Sequence, residues 1–238
     1  MAATRLPGKP LLKINNLSII SHVFKRAEEA NIGEVVVATE DQEILADVLK
    51  NGGRAILTNN NHNTGTDRIF EAYKKLDIKN VDYILNLQGD EPDINKDDII
   101  NLNNFMINND AQLGTLAARM QDDRMLNNKN VVKVITENKL EKNNFPAALN
   151  FTRDNLTINN QNIYHHIGIY SYKVSVLEKF VNLEQTDNEK INKLEQLRAL
   201  DNKLKINVAL SKSSSIGVDT QEDYLAIKKI MEYKLKDE

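Results

Sequence analysis

The chain has 238 residues, of which 41% are hydrophobic, and its formal net charge is -3 at pH 7. This length can bury a full core as one domain or as a domain with an appended lobe, whereas the negative charge argues against a nucleic-acid-binding surface. The absence of cysteine excludes disulfides and thiolate metal sites. The segment Met1–Pro10 lacks the apolar core of a signal peptide, and no later run is long enough to span a bilayer. We therefore expect a soluble, cytoplasmic protein with no membrane insertion.

Two cations surround a turn near the start of the chain. Arg5 and Lys9 flank Pro7-Gly8 in the segment R-L-P-G-K-P, and the G-x-x-x-x-G-K-[ST] spacing of a Walker loop is missing. Phosphate binding here would therefore rest on two side chains and a few loop amides. Taken alone, the segment also matches an ordinary surface turn.

Strands alternating with helices follow this turn. Ser18 is the expected N-cap of a first helix, and Gly33 stands where a C-terminal glycine belongs. The β-branched run at 35–39 predicts a buried parallel strand, because such strands are covered on both faces. Asp41 is the expected cap of the next helix, and Thr66 of a third helix in the segment G-T-D-R. This alternation predicts a parallel sheet with right-handed crossovers.

The segment N-L-Q-G-D-E-P, Asn86–Pro92, places two carboxylates directly after an apolar run of strand length. Gly89 lets the chain turn and Pro92 prevents the strand from continuing, so Asp90 and Glu91 are expected at a carboxyl edge of the sheet. Carboxylate oxygens there suit Mg²⁺, which takes one or two protein carboxylates and leaves its other positions for water and phosphate. A solvated acidic turn is the alternative interpretation.

The pattern changes in the second half of the chain. Three predicted strands, at 131–136, 147–152 and 164–173, have little helix between them, which indicates an inserted antiparallel lobe. A helical stripe follows at 188–201. Near the end of the chain, Thr220 and Asp223 form a T-x-x-D cap, and Asp219 stands just outside it.

Three segments thus supply charged groups. The first offers the cations Arg5 and Lys9, and the other two offer the carboxylates of Asp90 and Asp219. A nucleoside triphosphate needs such a combination, because its negative charge calls for Lys, Arg and Mg²⁺, and two carboxylates from different strand ends can hold the metal.

Seven segments occur in the order seen in CMP-Kdo synthetases, the 3-deoxy-manno-octulosonate cytidylyltransferases, and the chain resembles this family from Thr4 to about Leu225. They are R-L-P-G-K-P-L, V-A-T-E-D, G-T-D-R, N-L-Q-G-D-E-P, H-I-G-I-Y, L-E-Q-L-R and G-V-D-T-Q-E-D. The resemblance implies transfer of CMP from CTP to Kdo, the eight-carbon acidic sugar of lipopolysaccharide, with release of pyrophosphate.

The resemblance also implies site residues. Those expected to hold the nucleotide are Arg5, Lys9, Thr66, Arg68 and Gln88. Asp90 and Asp219 would bind the catalytic Mg²⁺ and would form the catalytic centre with Lys9.

In the inserted lobe, Arg153 is expected to pair with the sugar carboxylate, since a guanidinium fork matches that group. The sugar hydroxyls would contact His166, Tyr170, Glu195 and Gln196. A histidine on a strand is also commonly a hydrogen-bonded core residue, which is the alternative for His166.

The resemblance implies a Rossmann-like nucleotidyltransferase fold of the α/β class, with a mostly parallel sheet, helices on both faces and an inserted antiparallel lobe. We expect one domain over residues 1–238, with 131–200 containing the sugar-binding and dimerisation lobe. A homodimer is expected through this lobe, because the family is typically dimeric and the strand at 164–173 mixes apolar residues with aromatics expected to be exposed.

Two departures leave alternatives open. Family members begin with a strand and an I-P-A-R segment before R-L-P-G-K-P, whereas this chain has only three residues before Thr4. We expect either an upstream start or an inactive remnant that acts only as a binding partner. The stretch 151–163 also looks shorter than in relatives. Another acidic sugar such as sialic acid is the alternative acceptor, although L-E-Q-L-R and H-I-G-I-Y favour Kdo.

Overall fold

The computed structural model describes residues 6–155, 162–213 and 217–234. They form two compact units. Unit 1 draws on residues 1–78, 87–99 and 215–238, and unit 2 consists of 79–86 and 100–214. The lobe predicted for 131–200 therefore lies inside unit 2, which is larger than that lobe.

Strands and helices alternate along most of the described chain. The strands are β1 (Lys13–Ile14), β2 (Leu17–Ser18), β3 (Val37–Thr39), β4 (Ala55–Leu57), β5 (Tyr83–Asn86), β6 (Leu113–Ala118), β7 (Lys133–Thr136), β8 (Ala148–Thr152), β9 (Ile163–Lys173) and β10 (Ile206–Leu210). The helices are α1 (Ile19–Ala30), α2 (Gln42–Lys50), α3 (Gly65–Leu76), α4 (Lys96–Asn108), α5 (Asp123–Leu126), α6 (Val174–Val181), α7 (Asp187–Asn192), α8 (Gln196–Asp201) and α9 (Gln221–Lys234). Within the described ranges, no helix combines the length and the apolar character that crossing a membrane requires.

Two of the three predicted caps in the first half of unit 1 are confirmed. The Ser18 side chain accepts the Ser21 N–H at the start of α1, and Asp41 accepts two N–H groups at the start of α2. The cap of α3 is Thr64 and not Thr66, because Thr64 and Asp67 form a reciprocal capping box.

The end of α1 also differs from the prediction. Asn31 takes the left-handed conformation, with φ 49°, and its N–H bonds to the Glu28 carbonyl. Asn adopts this conformation more readily than most residues other than glycine, so α1 ends at Ala30 with Asn31 as its cap, two residues before Gly33.

A long strand, β9, organises the sheet of unit 2. β9 lies antiparallel to β6 along one side, and on the other side it pairs with β7 at its start and with β5 at its end. β8 continues from β7, and β10 adds to β6 in parallel. The predicted α/β class with antiparallel strands is confirmed, and this sheet is mixed because β9 runs against its neighbours.

The aromatic side chains of β9 are buried, and the expectation that they would be exposed is wrong. Tyr164, Tyr170 and Tyr172 are each 9% exposed or less. The single helix predicted for 188–201 is also wrong, because Lys193 takes the left-handed conformation and separates α7 from α8.

A glycine in β6 provides a test of packing in unit 2. A Cβ at Gly114 would lie 2.5 Å from the Met106 sulfur and 2.8 Å from a Phe145 ring carbon. Because these contacts are closer than van der Waals distance, Gly114→Ala should lower the free energy of unfolding by about 1–3 kcal/mol, measured by denaturant titration. Gly33→Ala, whose Cβ would meet no atom within 4 Å, is the control and should be nearly neutral. Equal stability of the two variants would contradict this packing.

Candidate active site

Lys9 follows a tight turn in unit 1. The Lys9 N–H bonds to the Leu6 carbonyl at 3.3 Å, and Gly8 has φ 68° and ψ 12°. These values fit the third position of a type II turn, which favours glycine, with Pro7 at the preceding position that proline favours. The turn therefore fixes the backbone from which the Lys9 side chain extends.

Asp90 and Asp219 come from loops that are joined by their backbones. The Val218 N–H donates to the Asp90 carbonyl at 2.9 Å. Val218 is fully buried and shares a hydrophobic cluster with Leu6, whose carbonyl closes the Lys9 turn. Burial of these apolar side chains holds the Lys9 turn to the Asp219 loop, and the backbone bond of Val218 joins the Asp90 loop to them.

The cap of α9 sets the direction of the Asp219 loop. Asp223 accepts the backbone N–H groups of Asp219 and Thr220, and its own N–H donates to the Thr220 hydroxyl. This confirms the T-x-x-D cap. Because the cap uses Thr220 and Asp223, the Asp219 side chain can serve the site.

The Lys9 ammonium bridges the two carboxylates. Its Nζ lies 2.7 Å from Asp90 Oδ2 and 3.3 Å from Asp219 Oδ1. The Lys9 side chain is 12% exposed, compared with 26% for Asp90 and 53% for Asp219. The three residues predicted as the catalytic centre are therefore in contact. Glu91, the second acid after β5, is instead buried in the structure.

The donor chemistry of this site fits Mg²⁺. Asp90 and Asp219 supply hard oxygen ligands, and the bridging ammonium shows that a cation suits the space between them. Three or more potential metal ligands do not cluster anywhere in the described ranges. Mg²⁺ does not require such a cluster, since one or two carboxylates with water and substrate phosphate complete its shell.

The remaining residues predicted for the nucleotide differ in their surroundings. Arg5 lies outside the described residues. Gln88 is exposed, whereas Thr66 is 1% exposed within the first turn of α3. Arg68 bonds to the Thr58 hydroxyl at 2.6 Å and pairs with Glu40. Arg68 thus braces the start of the loop that leads to α3.

Glu71 is a supporting residue that our sequence analysis missed. Its carboxylate accepts the Asn59 N–H, pairs with His62 and lies 2.6 Å from Lys75 Nζ. Lys75 and His62, with the Asn59 N–H, lower the pKa of Glu71 to about 2, although burial opposes them. The Glu71–Lys75 spacing of i,i+4 was a visible signal, but the His62 contact depends on the fold.

In unit 2, the Arg153 guanidinium donates through Nη1 to the carbonyls of Lys129 and Asn130, at 3.3 and 3.1 Å. Lys133, fully buried, donates to the backbone carbonyl of Arg153 at 3.2 Å. Arg153 is therefore fixed by both its backbone and its side chain.

His166 is buried and neutral at pH 7. Burial, followed by the charges of His165 and Arg153, lowers the pKa of His166 to about 3. Its Nε2 lies 3.0 Å from the Thr115 hydroxyl oxygen. The single proton of that hydroxyl is donated to the Ile169 carbonyl at 2.7 Å. His166 Nε2–H therefore donates to this hydroxyl, and Nδ1 becomes an acceptor. The alternative interpretation, that His166 is a hydrogen-bonded core residue, therefore accounts for Nε2 but not for Nδ1.

The Tyr170 hydroxyl is buried, and among the described residues it has no hydrogen-bond partner. Burial, with the nearby Tyr172 and Glu195, raises the pKa of Tyr170. The Tyr170 ring packs against His166 with centroids 5.4 Å apart. Because leaving a buried hydroxyl unbonded is costly, this hydroxyl is suited to a polar ligand.

A buried ion pair positions Glu195 and Gln196. Arg198 in α8 donates two bonds, of 2.8 and 2.6 Å, to the Glu189 carboxylate in α7. The Arg198 guanidinium also lies 4.7 Å from the centre of the Phe180 ring. The pair is doubly hydrogen-bonded, as a buried pair must be, and it fixes the start of α8, where Glu195 and Gln196 lie. Arg153, His166, Tyr170, Glu195 and Gln196 all belong to unit 2.

Comparisons with known proteins identify the family of the chain. A family model described as Cytidylyltransferase matches residues 1–206. The 3-deoxy-manno-octulosonate cytidylyltransferase of Thermodesulfovibrio yellowstonii is 43% identical, over 93% of this chain and 91% of that protein. Its counterpart from Nitrobacter hamburgensis is 41% identical, over 97% of this chain and 89% of that protein.

Among solved structures, a CMP:2-keto-3-deoxy-manno-octonic acid synthetase complexed with CTP is similar to the chain with a TM-score of 0.87 and 32% identity, over 97% of this chain and 94% of that one. An apo UDP-glucose pyrophosphorylase, 12% identical with a TM-score of 0.73, shares the fold alone. The chain belongs to the 3-deoxy-manno-octulosonate cytidylyltransferase family.

Proposed function

We propose that this protein activates Kdo by transferring CMP from CTP, with release of pyrophosphate, for lipopolysaccharide synthesis. The observation that carries the proposal is the contact of one ammonium with two carboxylates, Lys9 with Asp90 and Asp219, in a chain more than 40% identical to enzymes of that name. The names of these relatives favour Kdo over sialic acid as the acceptor, and they favour an enzyme over a non-catalytic remnant.

In the reaction, the anomeric hydroxyl oxygen of the sugar attacks the α-phosphorus of CTP in line. A new P–O bond forms as the bond to the bridging oxygen of the β-phosphate breaks, and pyrophosphate leaves with that electron pair. The hydroxyl proton passes to solvent. Catalysis rests on alignment and neutralisation of charge, so no covalent enzyme intermediate is required.

The residues of unit 1 would serve the triphosphate. Lys9 supplies positive charge for phosphate oxygens, with Arg5 as its proposed companion. Asp90 and Asp219 would hold Mg²⁺, which supplies charge stabilisation at the phosphoryl oxygens when bound. Gln88, Thr66 and Arg68 are proposed for the cytidine half. Because Thr66 is buried, it would contribute through its backbone, and Arg68 would contribute by ordering the loop before α3.

The residues of unit 2 would bind the sugar. Arg153 has five N–H donors, and the two described bonds both use Nη1, so its fork suits a carboxylate. The His166 Nδ1 acceptor and the buried Tyr170 hydroxyl suit sugar hydroxyls. Glu195 and Gln196, positioned by the Arg198 pair, complete the proposed set.

We also propose a homodimer formed through unit 2. The β9 aromatics are buried and cannot form an interface. The support comes from two exposed apolar side chains, Leu149 on β8 and Ile191 on α7. These side chains are 60% and 79% exposed. A second copy would remove such apolar surface from water. β8 is the last strand in the order β10-β6-β9-β7-β8, and its residues Leu149 and Asn150 are exposed to a partner.

The metal assignment is tested together with the activity. Wild-type protein should form CMP-Kdo from CTP and Kdo with Mg²⁺ and none in excess chelator, and it should use sialic acid poorly. Asp90→Asn and Asp219→Asn keep the shape but remove a charge, so each should lower turnover by about three decades, at about 1.4 kcal/mol per decade.

Asp97→Asn is the control for these variants. Asp97 is exposed in the first turn of α4, where an acid serves the helix dipole, so this variant should lose a few tenths to about 1 kcal/mol of stability and keep its turnover. Normal turnover of Asp219→Asn at saturating Mg²⁺ would contradict the metal assignment.

A second test concerns the sugar. Tyr170→Phe should raise the KM for Kdo about 5- to 10-fold, corresponding to about 1 kcal/mol for one hydrogen bond, and leave the KM for CTP unchanged. Its melting temperature should be equal or higher, because the substitution removes a buried hydroxyl that lacks a partner among the described residues.

The matched control is Tyr164→Phe in the same strand. Tyr164 OH accepts the buried Leu140 N–H at 2.8 Å, so its loss should lower stability by about 1–3 kcal/mol with no change in the KM for Kdo. The sugar assignment is wrong if Tyr170→Phe loses stability while its KM for Kdo stays normal.

The third test concerns assembly. Leu149→Glu should convert the proposed dimer to monomer, measured by light scattering, because a charge would be buried at the interface. Leu225→Glu, at a position 55% exposed in unit 1, should leave the dimer intact. A stable, active monomeric wild type would refute the dimer.

A further inference from the structure

The position of the Lys9 ammonium has a consequence for how the active site takes up its metal. We propose that Lys9 is a built-in competitor of the divalent cation: it occupies the space between Asp90 and Asp219 in the nucleotide-free protein and leaves that space when a triphosphate offers it new acceptors. This inference rests on the proposed function, because it assumes that the same two carboxylates hold the metal.

The geometry gives the ammonium the role of a substitute cation. Two carboxylates from loops far apart in sequence, Asp90 and Asp219, both contact Lys9 Nζ, at 2.7 and 3.3 Å. An ammonium and a divalent ion cannot share this position, since like charges at contact distance repel. Binding of a divalent ion to this pair therefore requires the ammonium to move away.

Only the side chain of Lys9 needs to move. Its backbone is held by the turn at Gly8 and by the bond of its own N–H to Leu6, and its carbonyl accepts the Leu12 N–H at 3.2 Å. The backbone of Asp90 is tied to Val218. A lysine has a flexible four-carbon stem and three rotatable donors, so it can exchange acceptors without any change in the turn.

The triphosphate supplies the acceptors that make this exchange favourable. In its absence, displacing Lys9 breaks two ion pairs of a side chain that is only 12% exposed, and no new acceptor replaces them, which opposes metal binding. With CTP bound, phosphate oxygens take their place. Because linkage is reciprocal, CTP should tighten metal binding by the same factor as the metal tightens CTP binding. The Lys9 ammonium therefore weakens the binding of a divalent ion to the nucleotide-free protein.

The test is Mn²⁺ binding to the full chain without nucleotide, followed by electron paramagnetic resonance of the unbound ion. Lys9→Met keeps the length of the side chain and removes its charge. It should bind Mn²⁺ at least tenfold more tightly than wild type, about 1.4 kcal/mol. After subtraction of the Mn²⁺ that CTP binds in a protein-free titration, adding CTP should tighten Mn²⁺ binding by a larger factor in wild type than in Lys9→Met.

Two further variants identify the site. Lys13→Met removes the same charge from an exposed position of unit 1, so it should change Mn²⁺ affinity less than twofold. The double variant Lys9→Met with Asp219→Asn should lose the gained affinity. Circular dichroism melting shows which variants fold, and Lys9→Gln replaces Lys9→Met if the latter does not.

The outcomes separate this inference from the proposed function. Equal or weaker Mn²⁺ binding by folded Lys9→Met would overturn the competition, whether or not wild type makes CMP-Kdo. An equal gain in Lys13→Met would overturn it as well, because the effect would then reflect net charge. Failure of wild type to make CMP-Kdo, with tighter Mn²⁺ binding in Lys9→Met alone, would overturn the proposed function and leave the competition standing.

Discussion

The active site of unit 1 depends on a backbone hydrogen bond, from the Val218 N–H to the Asp90 carbonyl, made beside the buried Val218 side chain. Lys9 and Asp219 are 210 residues apart in sequence, and ordering such distant segments costs conformational entropy. The hydrophobic cluster that contains Leu6 and Val218 offsets this cost. The charged groups are therefore brought together by apolar burial, and their mutual attraction is a result of that placement.

The central residues of this site were predictable from sequence for a general reason. Parallel strands present their carboxyl ends at one edge of a sheet, so an acid directly after a strand is a candidate ligand. Asp90 fits this rule because it follows the end of β5, whereas Asp219 was singled out by its place just before the T-x-x-D cap. The structure places both against Lys9. What the sequence did not indicate was the ammonium between them, because no local pattern encodes a contact across so many residues.

Errors in the predicted helix ends arose where two neighbouring residues had similar propensities. Thr64 and Thr66 are both good N-caps, and the choice depends on Asp67, which completes a capping box only with Thr64. Lys193 interrupts the helical stripe at 188–201, although lysine is a good helix former. The ion pair of Glu189 with Arg198 joins the two resulting helices, and this tertiary contact is not visible in a periodic pattern.

The irregularity between β6 and β9 constrains how related sequences can be recombined. The register of these strands shifts between Thr115 and Leu116, where two extra residues of β9 separate Ile167 from Tyr170. The Thr115 hydroxyl lies within bonding distance of the Ile167 and Ile169 carbonyls at this bulge, and it also contacts His166. A chimaera with its crossover between β6 and β9 keeps His166 and Tyr170 on their present faces only if one parent supplies the hydroxyl and the other supplies the matching bulge. β6 and β9 therefore have to be exchanged together, although more than forty residues separate them in the sequence.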